Sequence, residues 1–187
     1  MNAPTTAEPT DAMVDLETLG TEPFCPILSI GACAFNADSF SVSPDVFYQA
    51  ITLESCISLG LRVDANTLGW WMDQAPAAQA VFRDPQAVTL PLALDAFTDW
   101  WNSRPMRIWG NSARFDMGIL AAAYKACGKE IPWRWRDERC HRTVCNLPGA
   151  KDVPFERYGT YHNALDDALS QANHLQKVYR ALGFTPQ

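Results

Sequence analysis

Three apolar segments crowd the first third of this chain and leave it few folds: residues 12–16 (AMVDL), 26–35 (PILSIGACAF) and 46–53 (VFYQAITL). Their composition and alternation read as strands. The connections between them are shorter than the roughly twelve residues a parallel crossover needs, so the spacing predicts an antiparallel meander. Helices then take over. Asp64 caps a helix through Trp70 and Trp71, and Thr89 with Pro91 starts another that reaches Trp101. Residues 106–109 form a short fourth strand, 112–127 a helix closed by Gly128, and 136–140 a fifth strand. The last helix spans about 163–182, where Leu165, Leu169, Ala172, Leu175, Tyr179 and Leu182 make an apolar stripe. Strands followed by alternating helix and strand specify an α/β layer fold with a mixed sheet.

A length of 187 residues suits one domain over 11–187, behind a polar lead (1–10) with Pro4 and Pro9 that reads as disordered. That lead lacks the basic and apolar regions of a signal peptide, and no apolar run is long enough for a membrane span. Six cysteines without a C-x-x-C pair point to reduced thiols and a cytosolic protein. Cys140, His141 and Cys145 raise the question of zinc, but the missing fourth ligand and the absence of finger spacing argue against it. The net charge of −6 argues against a protein that coats duplex by counterion release. It still allows a nuclease that grips a few phosphates through divalent ions.

Chemistry concentrates in three places. Asp15 and Glu17, two apart at the end of a strand, face the same side. Carboxylates held that close repel, and one protonates unless a cation lies between them. Alone the pair is a weak signal, since shuffling this composition yields a D-x-E in roughly every second chain. Asp116 closes NSARFD (111–116) in the first turn of a helix, where the dipole alone would favour an acid. His162 stands at a loop-to-helix junction, and Asp167 follows near the edge of the buried face; Asp166 turns to solvent or to the helix dipole. A partly buried aspartate there wants a partner charge.

Together VDLET (14–18), NSARFD (111–116) and HNALDDA (162–168) resemble the DEDDh 3′–5′ exonucleases of the DnaQ and ribonuclease T superfamily. LGTEPFCPILSIGACAF (19–35) and TLGWWMDQ (67–74) look like the subgroup of phage DexA-type enzymes and a mycobacterial exoribonuclease-like domain. The resemblance implies a ribonuclease H-like fold, a five-stranded mixed β-sheet flanked by α-helices. It implies two divalent cations, Mg²⁺ or Mn²⁺, roughly 3.5–4 Å apart and held by Asp15, Glu17, Asp116 and Asp167. His162 would be the general base, taking the proton of the attacking water near neutral pH. The substrate would be the 3′ end of single-stranded RNA or DNA, the product a nucleoside 5′-monophosphate, and the setting the cytoplasm of a bacterial or phage-infected cell.

Substrate contacts follow in the same way. Thr18 and Leu19 would meet the terminal nucleotide, Leu19 wedging against its base. Phe115 stacks on a base or packs in the core. Asn111 and Arg139 join them as binding candidates, Arg139 among four arginines (Arg134, Arg136, Arg139, Arg142) that form either a phosphate rim or a solvated face. The segment 146–161, with Pro148, Gly149, Pro154 and Gly159, reads as a mobile loop that leaves His162 poorly placed without metal and nucleotide. The seven tryptophans leave room for a homodimer interface. The rival readings are an inactive module of the same fold that binds 3′ ends, a ribonuclease H-like endonuclease, and an aspartyl phosphatase. The phosphatase needs a second Asp where Glu17 stands.

Overall fold

Alternation along the first strand decides the architecture. The computed structural model describes residues 8–37, 41–102 and 106–184. Its elements are β1 (Asp11–Thr18), β2 (Ile27–Asn36), β3 (Ser41–Ala50), α1 (Leu53–Ser58), α2 (Ala65–Met72), α3 (Pro76–Gln79), α4 (Leu90–Asn102), β4 (Arg107–Gly110), α5 (Ala113–Ala126), β5 (Glu138–Cys140), α6 (His141–Cys145) and α7 (Ala164–Ala181). Ala12, Val14 and Leu16 point to one side of β1, into a core shared with Leu94 and Phe97 of α4 and Leu120 of α5. Met13 points the other way, toward Ala168, Ala172 and Leu175 of α7. Asp15 and Glu17 therefore lie on the α7 side.

The five-stranded sheet has the order β3-β2-β1-β4-β5. The first three strands form the expected antiparallel meander, while β4 runs parallel to β1 and β5 parallel to β4. Strand limits differ from expectation for local reasons. β3 ends at Ala50 because the Thr52 amide turns away to the Val88 carbonyl (2.8 Å) and α1 begins. β5 is confined to Glu138–Cys140 because Trp135–Asp137 form a 3₁₀ turn. Of the expected lead, residues 1–7 lie outside the described residues; Asn36 Nδ2 donates to the Glu8 carbonyl (2.7 Å) and the Thr10 amide to Phe35 (3.1 Å). The six cysteines are free thiols. No helix among the described residues is long and apolar enough to cross a membrane.

Two contacts hold β1 against its neighbours. At its start, buried Asp11 accepts from Arg107 (Nε and Nη2, both 2.7 Å) and from Trp109 Nε1 (2.7 Å). Further on, Asp15 pairs across the ladder with Gly31 of β2. A Cβ on Gly31 would fall inside the backbone of Ala164 and Leu165. The missing side chain lets the first turn of α7 lie directly on the sheet beside Asp15.

Candidate active site

Each acid is delivered by a different local device. Asp15 and Glu17 share a face of β1 by strand alternation. Asp116 enters from the first turn of α5, where its Oδ2 accepts from the Ser112 amide (3.2 Å), a bond that stands in for a side-chain cap by Ser112. Its carboxylate rests on Gly110, where a Cβ would meet it at 2.5 Å. Asp167 arrives on α7, whose N-cap Asn163 accepts from the amides of Leu165 (3.1 Å) and Asp166 (3.2 Å). Asp166 turns back to the loop and accepts from the Thr160 amide (2.6 Å).

The acids converge closely enough to oppose one another's ionisation. Burial pushes Asp15 well above the carboxylate range, and Asp116, Glu17 and Asp167 push it further against a hydrogen bond from Gln171. Glu17 rises to about 8, first by burial, then by Asp167 and Asp116. Asp116 rises to about 7 by burial, against backbone hydrogen bonds led by Ser112. Asp167 is raised by burial in spite of Arg157 and His162. Such a cluster of hard oxygen donors suits a divalent cation. Beside it, Gln171 Nε2 donates to Asp15 Oδ1 (2.7 Å), while the buried Gln171 Oε1 has no hydrogen-bond partner. The donor set and this unfilled acceptor fit a site made for metal.

His162 stands beside the acids, among aromatic rings. Its nitrogen lies within 4.8 Å of ligand oxygens of Glu17 and Asp167. Its ring meets Trp70 edge-on (centroids 4.8 Å) and Tyr161 at 3.7 Å. Its backbone takes φ = 62°, a left-handed conformation that stores about 1 kcal/mol or more of strain. Burial lowers its pKa below 6.5 in spite of Asp167, so the ring is neutral at pH 7. Beside Glu17 opens a cleft of about 540 Å³, lined by Leu16, Thr18, Trp70, Trp71 and Phe115 among others. Trp71 is core and Trp70 is 42% exposed at the cleft.

Residues 10–179 match the model of the 3′-5′ exoribonuclease Rv2179c-like domain. The chain belongs to this family. Among curated proteins none matches it. Among solved structures it is similar to the nuclease domain of 3′hExo, a DEDDh family member bound to rAMP, at 13% identity and TM-score 0.65, covering 98% of each chain. It is also similar to E. coli Exonuclease I in complex with a dT13 oligonucleotide, at 12% identity and TM-score 0.71, covering 94% of this chain and 42% of that one. The exoribonuclease-like domain therefore has the ribonuclease H-like fold of DEDDh exonucleases, and it is a nuclease.

Within this exoribonuclease-like domain, the five residues singled out for chemistry (Asp15, Glu17, Asp116, His162, Asp167) come together. The candidates for substrate contact fare unevenly. Leu19 is fully buried against Leu28 and Trp71, so it cannot wedge against a base. The Thr18 hydroxyl donates to the Gly20 carbonyl (2.7 Å), leaving only an edge of the residue on the cleft. Asn111 turns to His141 (3.2 Å), and Arg139 donates to the carbonyls of Arg136 (2.8 Å) and Glu138 (2.9 Å). Phe115 does line the cleft.

Sequence reasoning does not single out Arg157, because it lies in a segment that reads only as a loop. Its Nη1 donates to Asp167 Oδ1 (2.6 Å), and its guanidinium stacks on Tyr161 at 3.9 Å. A cation drawn to Asp167 competes with this half-exposed group. Arg157→Gln should therefore lower the Mn²⁺ concentration for half-maximal thermal stabilisation by about two- to five-fold, the value of a partly exposed ion pair. An unchanged or higher midpoint would show that Arg157 does not compete.

Proposed function

We propose that this chain removes nucleotides one at a time from the 3′ end of single-stranded RNA, releasing nucleoside 5′-monophosphates. Asp15, Glu17, Asp116 and Asp167 would hold two Mg²⁺ or Mn²⁺ ions, with His162 as general base. The observation that carries this reading is the meeting of four acids from three distant segments around a neutral imidazole. RNA is favoured over DNA by the description of the family. When bound, the ions would neutralise the carboxylates and stabilise the charge that develops on the attacking and departing oxygens of an in-line displacement.

The chain's own groups do the rest. His162 accepts the proton of the attacking water; its lowered pKa keeps it in the basic form at neutral pH. Gln171 holds one oxygen of Asp15 by its 2.7 Å hydrogen bond and so restrains that carboxylate. Phe115 and the exposed face of Trp70 offer the terminal base a stacking surface beside Glu17, each contact contributing about 1–3 kcal/mol if the base lies flat.

The test offers 5′-labelled single-stranded RNA and DNA side by side, with Mg²⁺, Mn²⁺ or chelator. Stepwise shortening from the 3′ end should appear, faster on RNA, and stop with chelator. His162→Ala should slow it by about 100- to 10,000-fold. In the native enzyme, the rate should rise with pH along a limb whose midpoint lies below 6.5. Internal cuts, or a His162→Ala rate within about two-fold of native, would overturn the reading.

A further inference from the structure

We propose that His141, Cys145 and His174 form a second metal site, built for a zinc ion and separate from the carboxylates. His141 and Cys145 stand on successive turns of α6, and His174 reaches them from α7, seven residues after Asp167. Their donor atoms point at one another: His141 Nε2 to His174 Nδ1 at 3.0 Å, Cys145 Sγ to His141 Nε2 at 3.2 Å, and Cys145 Sγ to His174 Nδ1 at 3.5 Å.

Proton bookkeeping makes this arrangement unfavourable without a cation. His174 Nε2 lies 3.1 Å from the Val153 carbonyl, which has no proton to give, so Nε2 carries the hydrogen and Nδ1 presents a bare lone pair. His141 Nδ1 lies 3.2 Å from Asn111 Oδ1; with the amide turned this way its hydrogen points outward and Nε2 is bare as well. The two bare nitrogens face each other at 3.0 Å. The Cys145 thiol has one proton and can satisfy one of them.

A zinc ion resolves it for all three atoms at once. Tetrahedral Zn–N and Zn–S bonds of roughly 2.0–2.3 Å put ligand atoms about 3.3–3.6 Å apart. The observed separations of 3.0–3.5 Å need only a few tenths of an ångström of expansion. Asn111 and Val153 are the outer partners that zinc-bound histidines ordinarily have. The Phe155 ring stands 5.1 Å from that of His174, and a water would be the fourth ligand of a tetrahedral ion. Cys140, whose thiol turns to the Asn111 carbonyl (3.8 Å), stays outside the set. The sequence offers Cys140, His141 and Cys145 and lacks a fourth ligand; in the fold His174 takes the place of Cys140, and the set has three protein donors, the number that leaves one position open. The site would tie α6 and α7 to the Val153 loop, which leads on to Arg157 and His162.

The test reads metal rather than turnover. Protein purified without chelator and dialysed against excess Mg²⁺ should retain one zinc per chain. Cobalt-loaded native protein should show a thiolate-to-cobalt charge-transfer band, which only a cysteine-ligated ion gives. That band should persist in Asp15→Asn, whose mutation touches only the carboxylate site, and vanish in Cys145→Ser. Should Cys145→Ser fail to fold, His174→Gln serves in its place, with the band expected to shift or disappear. A native protein without the band, or a band that survives Cys145→Ser, would overturn the proposal. A sound band with no cleavage of RNA would instead count only against the exonuclease reading.

Discussion

Asp15→Asn should cut RNA at least about a thousand times more slowly than the native chain, yet melt at a higher temperature in chelator. The rate follows from loss of a cation ligand, since several kcal/mol of charge stabilisation in the transition state correspond to that factor. The stability follows from repulsion. Asp15, Glu17, Asp116 and Asp167 all have raised pKa values in the fold, Glu17 up to about 8 and Asp116 to about 7. An acid with a raised folded pKa binds its proton more tightly folded than unfolded. The metal-free fold is therefore most stable below the unfolded values near 4, and loses stability as pH climbs through 4.5 toward 8. Removing one acid from the cluster should recover about 1–2 kcal/mol at pH 8, or about 2–8 °C in Tm. Saturating Mn²⁺ should invert the order, because ligand at a hundred times Kd stabilises the native chain by about 2.7 kcal/mol. Melts at pH 5 and 8, with chelator and with Mn²⁺, check each part. A variant less stable than native in chelator at pH 8 would mean the acids do not strain the empty fold.

Gly31→Ala should be nearly as damaging, although glycine has no functional group to lose. The added methyl would occupy the backbone of Ala164 and Leu165, which has no side-chain freedom with which to yield. Relief requires the start of α7 to lift off the sheet, costing about 1–3 kcal/mol. It also carries Asp167 and His162 away from Asp15. A displacement of about 1 Å is enough for a hundred-fold loss of rate. Denaturant melts and RNA cleavage test the two effects together. Activity within about two-fold of native would show that α7 tolerates a gap there. Gly118, with open space around its Cβ position, is the control expected to accept alanine in both assays.

The two variants differ in how far the sequence alone reveals them. Alternation places Asp15 and Glu17 together because strand geometry has period two, and it needs no tertiary knowledge. Helix-start chemistry places Asp116 in a first turn, and the apolar stripe of the last helix puts Asp167 at the edge of its buried face; both signals are local. What stays hidden depends on contacts between distant segments. Gly31 reads as one more small residue until α7 is laid on it. Leu19 follows the acidic motif directly, but the bulge between Glu17 and Thr18 and the packing of Trp71 turn it inward. Asn111 and His174 acquire their roles only because α6 sits between them. Arg157 shows the same limit for charge, since a loop arginine reveals its carboxylate only when the loop is folded.

The clamp on Asp11 has a consequence for the far end of its strand. Side chains on β1 alternate between a greasy layer beneath and the acids above, so slippage by a single residue would exchange the two, drowning Asp15 and Glu17 among Leu94 and Phe97. Arg107 and Trp109 grip Asp11 by both carboxylate oxygens and thereby hold β1 in phase with β4. The accuracy with which the acids are aimed is thus set at the opposite edge of the molecule, by an aspartate that never approaches a nucleotide.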